Sequence, residues 1–410
     1  MVPRSRASTG SQAPGRLTRV DFSTREADLE AVQLDEARVG RLFEAVAEEV
    51  ARAPSCAAQV AIGRSGVLGA FGCFGRAPLL AGEREAGPDM LFSLFSVTKA
   101  LTASAVWILL EEKRLSLDQK VAEWIPAFER HGKHVITVEH LLTHTAGLPR
   151  AAFETLDWED PERRLERFDS WRLEWPPGSR FVYHGSSSMW VLAELIRLAS
   201  GQDHREMIRE RITGPLGLAD LYLGLPTSEH ARVAEVVPFG ERASATDGAP
   251  SPVDAPVLPD EMYASFNRAN VQAVGNPGGG AIGSAAGVAM FYQAILADWR
   301  GSGPGIWSRD TLEDACRVRN ADFVDPMTKQ PALRGLGVVT AGEEGGIWRG
   351  FAPRCCARSI GHMGAGGQVA WADPESGLSF AYVTNGAERD AVRQGSRGLQ
   401  LSVLASKCLA

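Results

Sequence analysis

Leu34, Val39, Leu42, Phe43, Val46 and Val50 recur at three- and four-residue steps, the spacing that lines up one face of an α-helix. Residues 57–74 are mostly Ala, Val, Ile, Phe and Gly, broken at Gly66, which predicts two strands of a hairpin. Helical spacing returns from Ser96 to about Lys113 and again over residues 189–199 and 284–299. Thr137 stands as a helix cap before residues 138–142, and Ala146-Gly147-Leu148-Pro149 ends that segment. Trp175-Pro176-Pro177-Gly178 reads as a turn. Residues 224–275 are rich in Pro, Ala and acids without either period, which predicts long surface loops. Two apolar runs, 368–372 and 378–384, flank Asp373-Pro374-Glu375-Ser376-Gly377 and predict a second hairpin, with a last helix from about Arg389.

Strands at both ends of the chain with helices between predict an α/β (α+β) layer plus a helical unit. The expected division is an α/β domain from residues 21–115 and 276–410, and a helical domain from 116–275. Residues 1–20, a mixture of Ser, Gly, Pro and Arg, are expected to be a disordered leader. No internal repeat is visible.

Composition narrows the partners. The 410 residues are 44% hydrophobic and 23% charged, ordinary for a globular chain. A formal charge of -7 argues against a nucleic-acid partner held by a basic surface. The polar start lacks a signal-peptide core, and the apolar run at 105–110 is far short of the ~20 residues that span a bilayer. A cytoplasmic protein without a membrane partner is therefore expected. Its six cysteines show no metal-ligand spacing and are expected to be reduced thiols.

Candidate chemistry begins at Ser96-Val-Thr-Lys99, a Ser-x-x-Lys where a helix starts. Positions i and i+3 share a helix face, so hydroxyl and amine can meet. A serine hydroxyl needs a neighbour to accept its proton, and burial among Phe92, Phe95, Val97 and Leu101 would favour an uncharged lysine able to do so. Tyr183, one of only five tyrosines, could relay a proton. Gly361-His-Met-Gly-Ala-Gly-Gly367 offers close backbone approach and a strand N–H to a developing oxyanion. Taken singly, these are equally a capped helix, a core tyrosine and a turn.

Their order along the chain is more specific. Phe95-Ser-Val-Thr-Lys-Ala100, Ile136-Thr-Val-Glu-His-Leu-Leu-Thr-His-Thr-Ala-Gly-Leu-Pro149, Pro177-Gly-Ser-Arg-Phe-Val-Tyr183, the 361–367 block and Asp373-Pro-Glu-Ser-Gly-Leu378 together resemble one group. It is the serine β-lactamase and penicillin-binding-protein superfamily, in its class C-like branch with the family VIII carboxylesterases. The resemblance covers residues 30 to 405. It implies a β-lactamase/transpeptidase-like fold, an antiparallel sheet flanked by helices and joined to an all-helical domain, with the site in the cleft between them.

Carried onto this chain, the resemblance implies Ser96 as the acyl-accepting nucleophile, Lys99 as its general base and Tyr183 as proton relay to the leaving group. His362 would stand where the family has Lys or His, and Gly364 would lie against the substrate. The N–H groups of Ser96 and Ala365 would form the oxyanion hole. Two departures favour neutral esters: Gly185 stands where the family often has an amide-bearing Asn, and an imidazole replaces an ammonium at position 362.

The expected function is thus hydrolysis of a small-molecule carboxylic ester through an acyl-enzyme, with no cofactor and no metal. A β-lactamase or D-amino-peptide amidase, an acyltransferase on the same site, and a non-catalytic scaffold remain alternatives, and self-association is left open. His140 and His144 lie four apart on a predicted helix but lack the His-Glu-x-x-His order of a zinc protease. Gly278-Gly-Gly280-Ala-Ile-Gly283 has no strand leading into it, so it is expected to pass the chain near the cleft rather than to hold a nucleotide. Trp158, Trp171, Trp175 and Trp348 are candidates to line an apolar acyl pocket, with core or surface packing the commoner use of any single one. Acyl length is expected to depend on loop shape near 150–175 and 224–275.

Overall fold

The computed structural model describes residues 26–53, 55–241, 258–343 and 346–410. The proposed leader at 1–20 and the side chain of Trp348 lie outside the described residues.

A seven-stranded antiparallel sheet joins the two ends of the chain. Its order is Gly82–Glu85, Val67–Leu79, Ala57–Arg64, Leu378–Thr384, Val369–Ala372, Ile360–Met363 and Val339–Thr340. The first predicted hairpin forms with Ser65 and Gly66 both at positive φ (56° and 80°), the twist that a two-residue turn between antiparallel strands requires. The second joins Val369–Ala372 to Leu378–Thr384, again antiparallel.

Alternation along the central strands decides what covers each face. Val60, Ile62, Phe380, Tyr382 and Trp371 point into one core, shared with Val39, Leu42 and Val46 of the helix Glu36–Ala51 and Leu401 and Ala405 of the helix Ala391–Ser406. Ala61, Ala370, Ala372 and Ala381 face the other way, into the core that holds the helix Ala285–Trp299. Small residues on that face admit a close helix. Every residue of Ala285–Trp299 is buried, which explains why its sequence shows no polar stripe.

Beyond that helix the same core runs into the helices Thr98–Glu111 and Ser187–Ser200 and a cluster of rings. Phe153 stacks on Trp190 at 4.5 Å, and Phe168 meets Trp171 edge-on at 5.1 Å. Trp158 and Trp171 belong to this cluster, 1% and 4% exposed, so of the two uses considered they take packing and not the lining of an acyl pocket. Their loop-like flanks conceal helical-unit packing.

Residues 224–275 are also less loop-like than expected. Their described part carries a 3₁₀ turn Thr227–Arg232, a strand Val237–Phe239 and the short helices Asp260–Ser265 and Ala269–Val274. Among the described residues no helix is long and apolar enough to cross a membrane. The six cysteines are unpaired.

Candidate active site

Ser96 sits in the 3₁₀ turn Phe95–Val97 that feeds the helix Thr98–Glu111, so the helix proper begins two residues later than its sequence pattern indicated. The three-residue step brings Lys99 Nζ to 3.2 Å from Ser96 Oγ. Phe95, immediately before, has φ of 45°, a left-handed conformation that costs a bulky residue about 1–2 kcal/mol. Its ring is clamped edge-on by Phe266 at 4.8 Å and Tyr263 at 5.6 Å, which hold the turn in that shape.

Lys99 is fully buried, and its Nζ also lies 2.7 Å from Gly185 O and 2.6 Å from Gly278 O. An uncharged amine has two N–H donors and one lone pair. The two carbonyls use both donors, leaving the lone pair to the Ser96 hydroxyl. Burial, reinforced by the Arg334 guanidinium, lowers the Lys99 pKa to about 7. Tyr183 Oη donates to Ser96 Oγ at 2.8 Å, and burial pushes its pKa up to about 12, so it stands as a neutral phenol.

Each carbonyl around Lys99 is held by its own network. The Thr102 hydroxyl donates to Pro277 O and the Thr98 hydroxyl accepts from Ala281 N–H, stitching the glycine run to the helix. A Cβ on Gly278 would lie 3.0 Å from both Gly185 O and Ser186 Cα. Gly278→Ala should therefore part the two carbonyl-bearing segments and lower kcat/KM about tenfold with a smaller loss in KM, as misplaced groups do. Steady-state kinetics beside a melting curve would check this, and an unchanged rate would show that the lysine tolerates looser carbonyls.

On the other side, His184 Nδ1–H donates to Val182 O at 2.6 Å while Nε2 accepts from Leu148 N–H at 2.9 Å. That pair fixes the tautomer, and burial lowers the imidazole to about 4, so His184 is a neutral strut. His144 supports it by accepting from His184 N–H. The helix Val138–Leu142 ends before His144, whose φ is 58°, so His140 and His144 do not share a helix face. His140 Nδ1 instead accepts from Thr137 N–H in a capping box. No group of three or more His, Cys, Asp or Glu able to hold a metal occurs among the described residues.

The 361–367 block divides into strand and turn. His362 lies in Ile360–Met363, one residue past the last pairing with Val339–Thr340, and its ring stands 5.9 Å from that of Tyr183. Burial and the nearby cations Lys99 and Arg334 hold its pKa well below the ordinary value. Gly364 N–H is committed to Gln368 O, and a Cβ there would meet Leu94 O at 2.7 Å; this glycine serves close packing of the turn. Gln368 donates to Ser93 O and Thr384 O, drawing that turn against the strand before Ser96. Among the described residues the N–H groups of Ser96 and Ala365 have no hydrogen-bond acceptor.

Ser96, Tyr183 and Ala365 open onto a cleft of about 880 Å³. One wall is Pro149, Phe153 and Leu156; the other is Leu258, Met262 and Phe266. These apolar residues are interspersed with the charged Arg150, Glu154, Glu261 and Arg268. Both segments fall in the stretches near 150–175 and 224–275 on which acyl length was expected to depend, although the particular residues were not legible. Arg334 was also missed, because one arginine among many carries no sequence signal.

Comparison with known proteins shows the family. A sequence model of the beta-lactamase family matches residues 43–405. Esterase EstB of Burkholderia gladioli is 30% identical over 395 residues, covering 88% of this chain and 94% of its own. The esterase/beta-lactamase LipL of Mycobacterium tuberculosis is 28% identical over 326 residues, 71% of this chain and 68% of its own. A penicillin-binding-protein homologue from Caulobacter crescentus superposes with a TM-score of 0.73 at 26% identity, covering 91% of this chain and 98% of that one.

Proposed function

Because this chain belongs to the beta-lactamase family, we propose that it is a serine hydrolase of carboxylic esters that works through an acyl-enzyme on Ser96. The observation that carries the reading is the convergence of Lys99 Nζ and Tyr183 Oη on Ser96 Oγ at the lining of the cleft. Lys99 takes the hydroxyl proton as Oγ bonds to the ester carbonyl carbon. The carbonyl oxygen, now an oxyanion, is held by the N–H groups of Ser96 and Ala365, which have no other acceptor among the described residues. As the tetrahedral centre collapses, the C–O bond to the alcohol breaks. The proton on Lys99 reaches the departing oxygen by way of the Tyr183 hydroxyl. Water then attacks the acyl carbon, Lys99 accepting its proton and passing it to Oγ as the bond from the acyl carbon to Oγ breaks, which releases the acid and restores Ser96 and the uncharged amine.

Esters are favoured over amides and β-lactams by what surrounds this set. Gly185 has no side chain to hydrogen-bond a substrate amide, and its carbonyl is already engaged by Lys99. The neutral His362 offers no full positive charge to a substrate carboxylate. Esterase EstB and the esterase/beta-lactamase LipL are relatives whose names carry that activity. Incubation with p-nitrophenyl butyrate and with a chromogenic cephalosporin is the test. Ester turnover should exceed cephalosporin turnover by about tenfold or more in kcat/KM, the discrimination expected when a buried polar partner is missing. Faster cephalosporin hydrolysis would overturn the ester preference, and a fluorophosphonate adduct anywhere but Ser96 would overturn the nucleophile.

A further inference from the structure

Against the rings of Phe181 and Tyr183 the structure buries a second basic side chain. Arg334 is 8% exposed, and its guanidinium carbon stands 5.4 Å from the Phe181 ring centre and 5.8 Å from that of Tyr183. Lys99 Nζ lies 4.9 Å from the same Tyr183 ring, so the two basic groups are no further apart than those two distances laid end to end. The Arg334 backbone is fixed: its N–H donates to Asn320 Oδ1, and Asn320 Nδ2 donates to Thr143 O in the turn beside the site.

Arg334 is weakly paired among the described residues. Arg334 reaches Asp325 only at 3.5 Å, and its Nε has no acceptor among the described residues. Asp325 also faces Arg349, whose guanidinium donates to Pro331 O. Among the described residues the groups facing Arg334 and Lys99 include the carboxylate Asp325, the guanidinium Arg349, the phenol Tyr183 and the imidazoles His144 and His362. Burying an incompletely paired charge is costly, and a hydrophobic side chain would pack against Phe181 and Tyr183 without that cost. A guanidinium here must therefore be explained by its charge as well as its shape.

We propose that Arg334 is a positioning residue for the Ser96 reaction: its buried guanidinium braces the Tyr183 ring and, by its fixed positive charge, favours the uncharged form of the Lys99 amine. The inference rests on the reading of Lys99 as general base. It assigns the fixed charge to a residue that touches neither Ser96 nor the cleft. The arginine does its work as a like charge packed near the same aromatic ring, where little water can screen it.

The test is the acid limb of kcat/KM for p-nitrophenyl butyrate in the full-length protein. Arg334→Met should move that limb up by roughly half a unit to one pH unit, the reach of one like charge in a partly buried site. Activity lost near neutrality should return at higher pH, which a merely structural defect would not allow. Arg334→Lys should keep the wild-type limb. Asp325→Asn, which leaves the guanidinium less compensated, should move the limb down. Equal limbs in wild type, Arg334→Met and Asp325→Asn would overturn the inference, as would shifts of the same sign. Should Arg334→Met not fold, the downward shift in Asp325→Asn with an unmoved Arg334→Lys still supports the inference, and its absence overturns it. Wild-type turnover that survives Ser96→Ala would overturn the underlying reading as well, so the two failures are distinct.

Discussion

Ser96→Ala is expected to lower p-nitrophenyl butyrate turnover by about 10⁴-fold or more, the scale of removing a serine nucleophile from a preorganised site. Both hydrogen-bonding side chains at the site converge on this one oxygen, Tyr183 from 2.8 Å and Lys99 from 3.2 Å. Without Oγ there is no atom to carry the acyl group. The fold should not change with it. Residue 96 lies in a turn held by the Phe95 ring between Tyr263 and Phe266 and by the helix that follows, and none of these uses the hydroxyl. A melting curve within a degree or two of wild type, beside the kinetic loss, would separate chemistry from folding. Intact-mass analysis after a fluorophosphonate should show one adduct on wild type and none on Ser96→Ala. Retention of more than a few per cent of turnover would assign the chemistry to another group.

The parts legible in the sequence are those fixed by near neighbours along the chain. The hairpin around Gly66 follows from two positive-φ residues between apolar runs, and the helix Glu36–Ala51 from a stripe whose Val39, Leu42, Val46 and Val50 are all buried. Ser96 and Lys99 were legible for the same reason, because a three-residue step sets their contact. Of the cleft walls only the stretches were, as loops near 150–175 and 224–275 expected to set acyl length, and not the residues that reach the groove. Leu156 and Met262 are brought together from segments about a hundred residues apart, and nothing in either marks it as one side of a groove. The tryptophans were ambiguous for the same reason: Trp158 and Trp171 have polar, broken flanks yet fill the ring cluster under Phe153 and Phe168. His140 and His144 share a four-residue step, but the helix stops at Leu142 and the step loses its meaning. Arg334 belongs with the walls, since only the folded chain sets its guanidinium against the ring that Lys99 also faces.

The pH behaviour of Lys99 ties the chemistry to the fold in one experiment. With its pKa lowered to about 7, the amine is half uncharged near neutrality, and wild-type kcat/KM should fall about tenfold per unit as the pH drops below that value. Lys99→Met should lower the rate by about 10³-fold and abolish this limb, because a thioether accepts no proton at these pH values. Tyr183→Phe should lose rate but keep the limb, since the phenol, at about 12, does not titrate there. Stability should carry the same signature. The folded chain holds Lys99 below the ordinary lysine value of 10.5, so between about 7 and 10.5 the unfolded chain binds more protons at this position. Its contribution is greatest above 10.5 and is lost as the pH falls through that window. Chemical denaturation from pH 7 to 10 should therefore show wild type gaining on Lys99→Met by about 1.4 kcal/mol per pH unit. Parallel curves for the two proteins would mean that the amine is protonated in the folded state, and an ammonium cannot take the proton from Ser96.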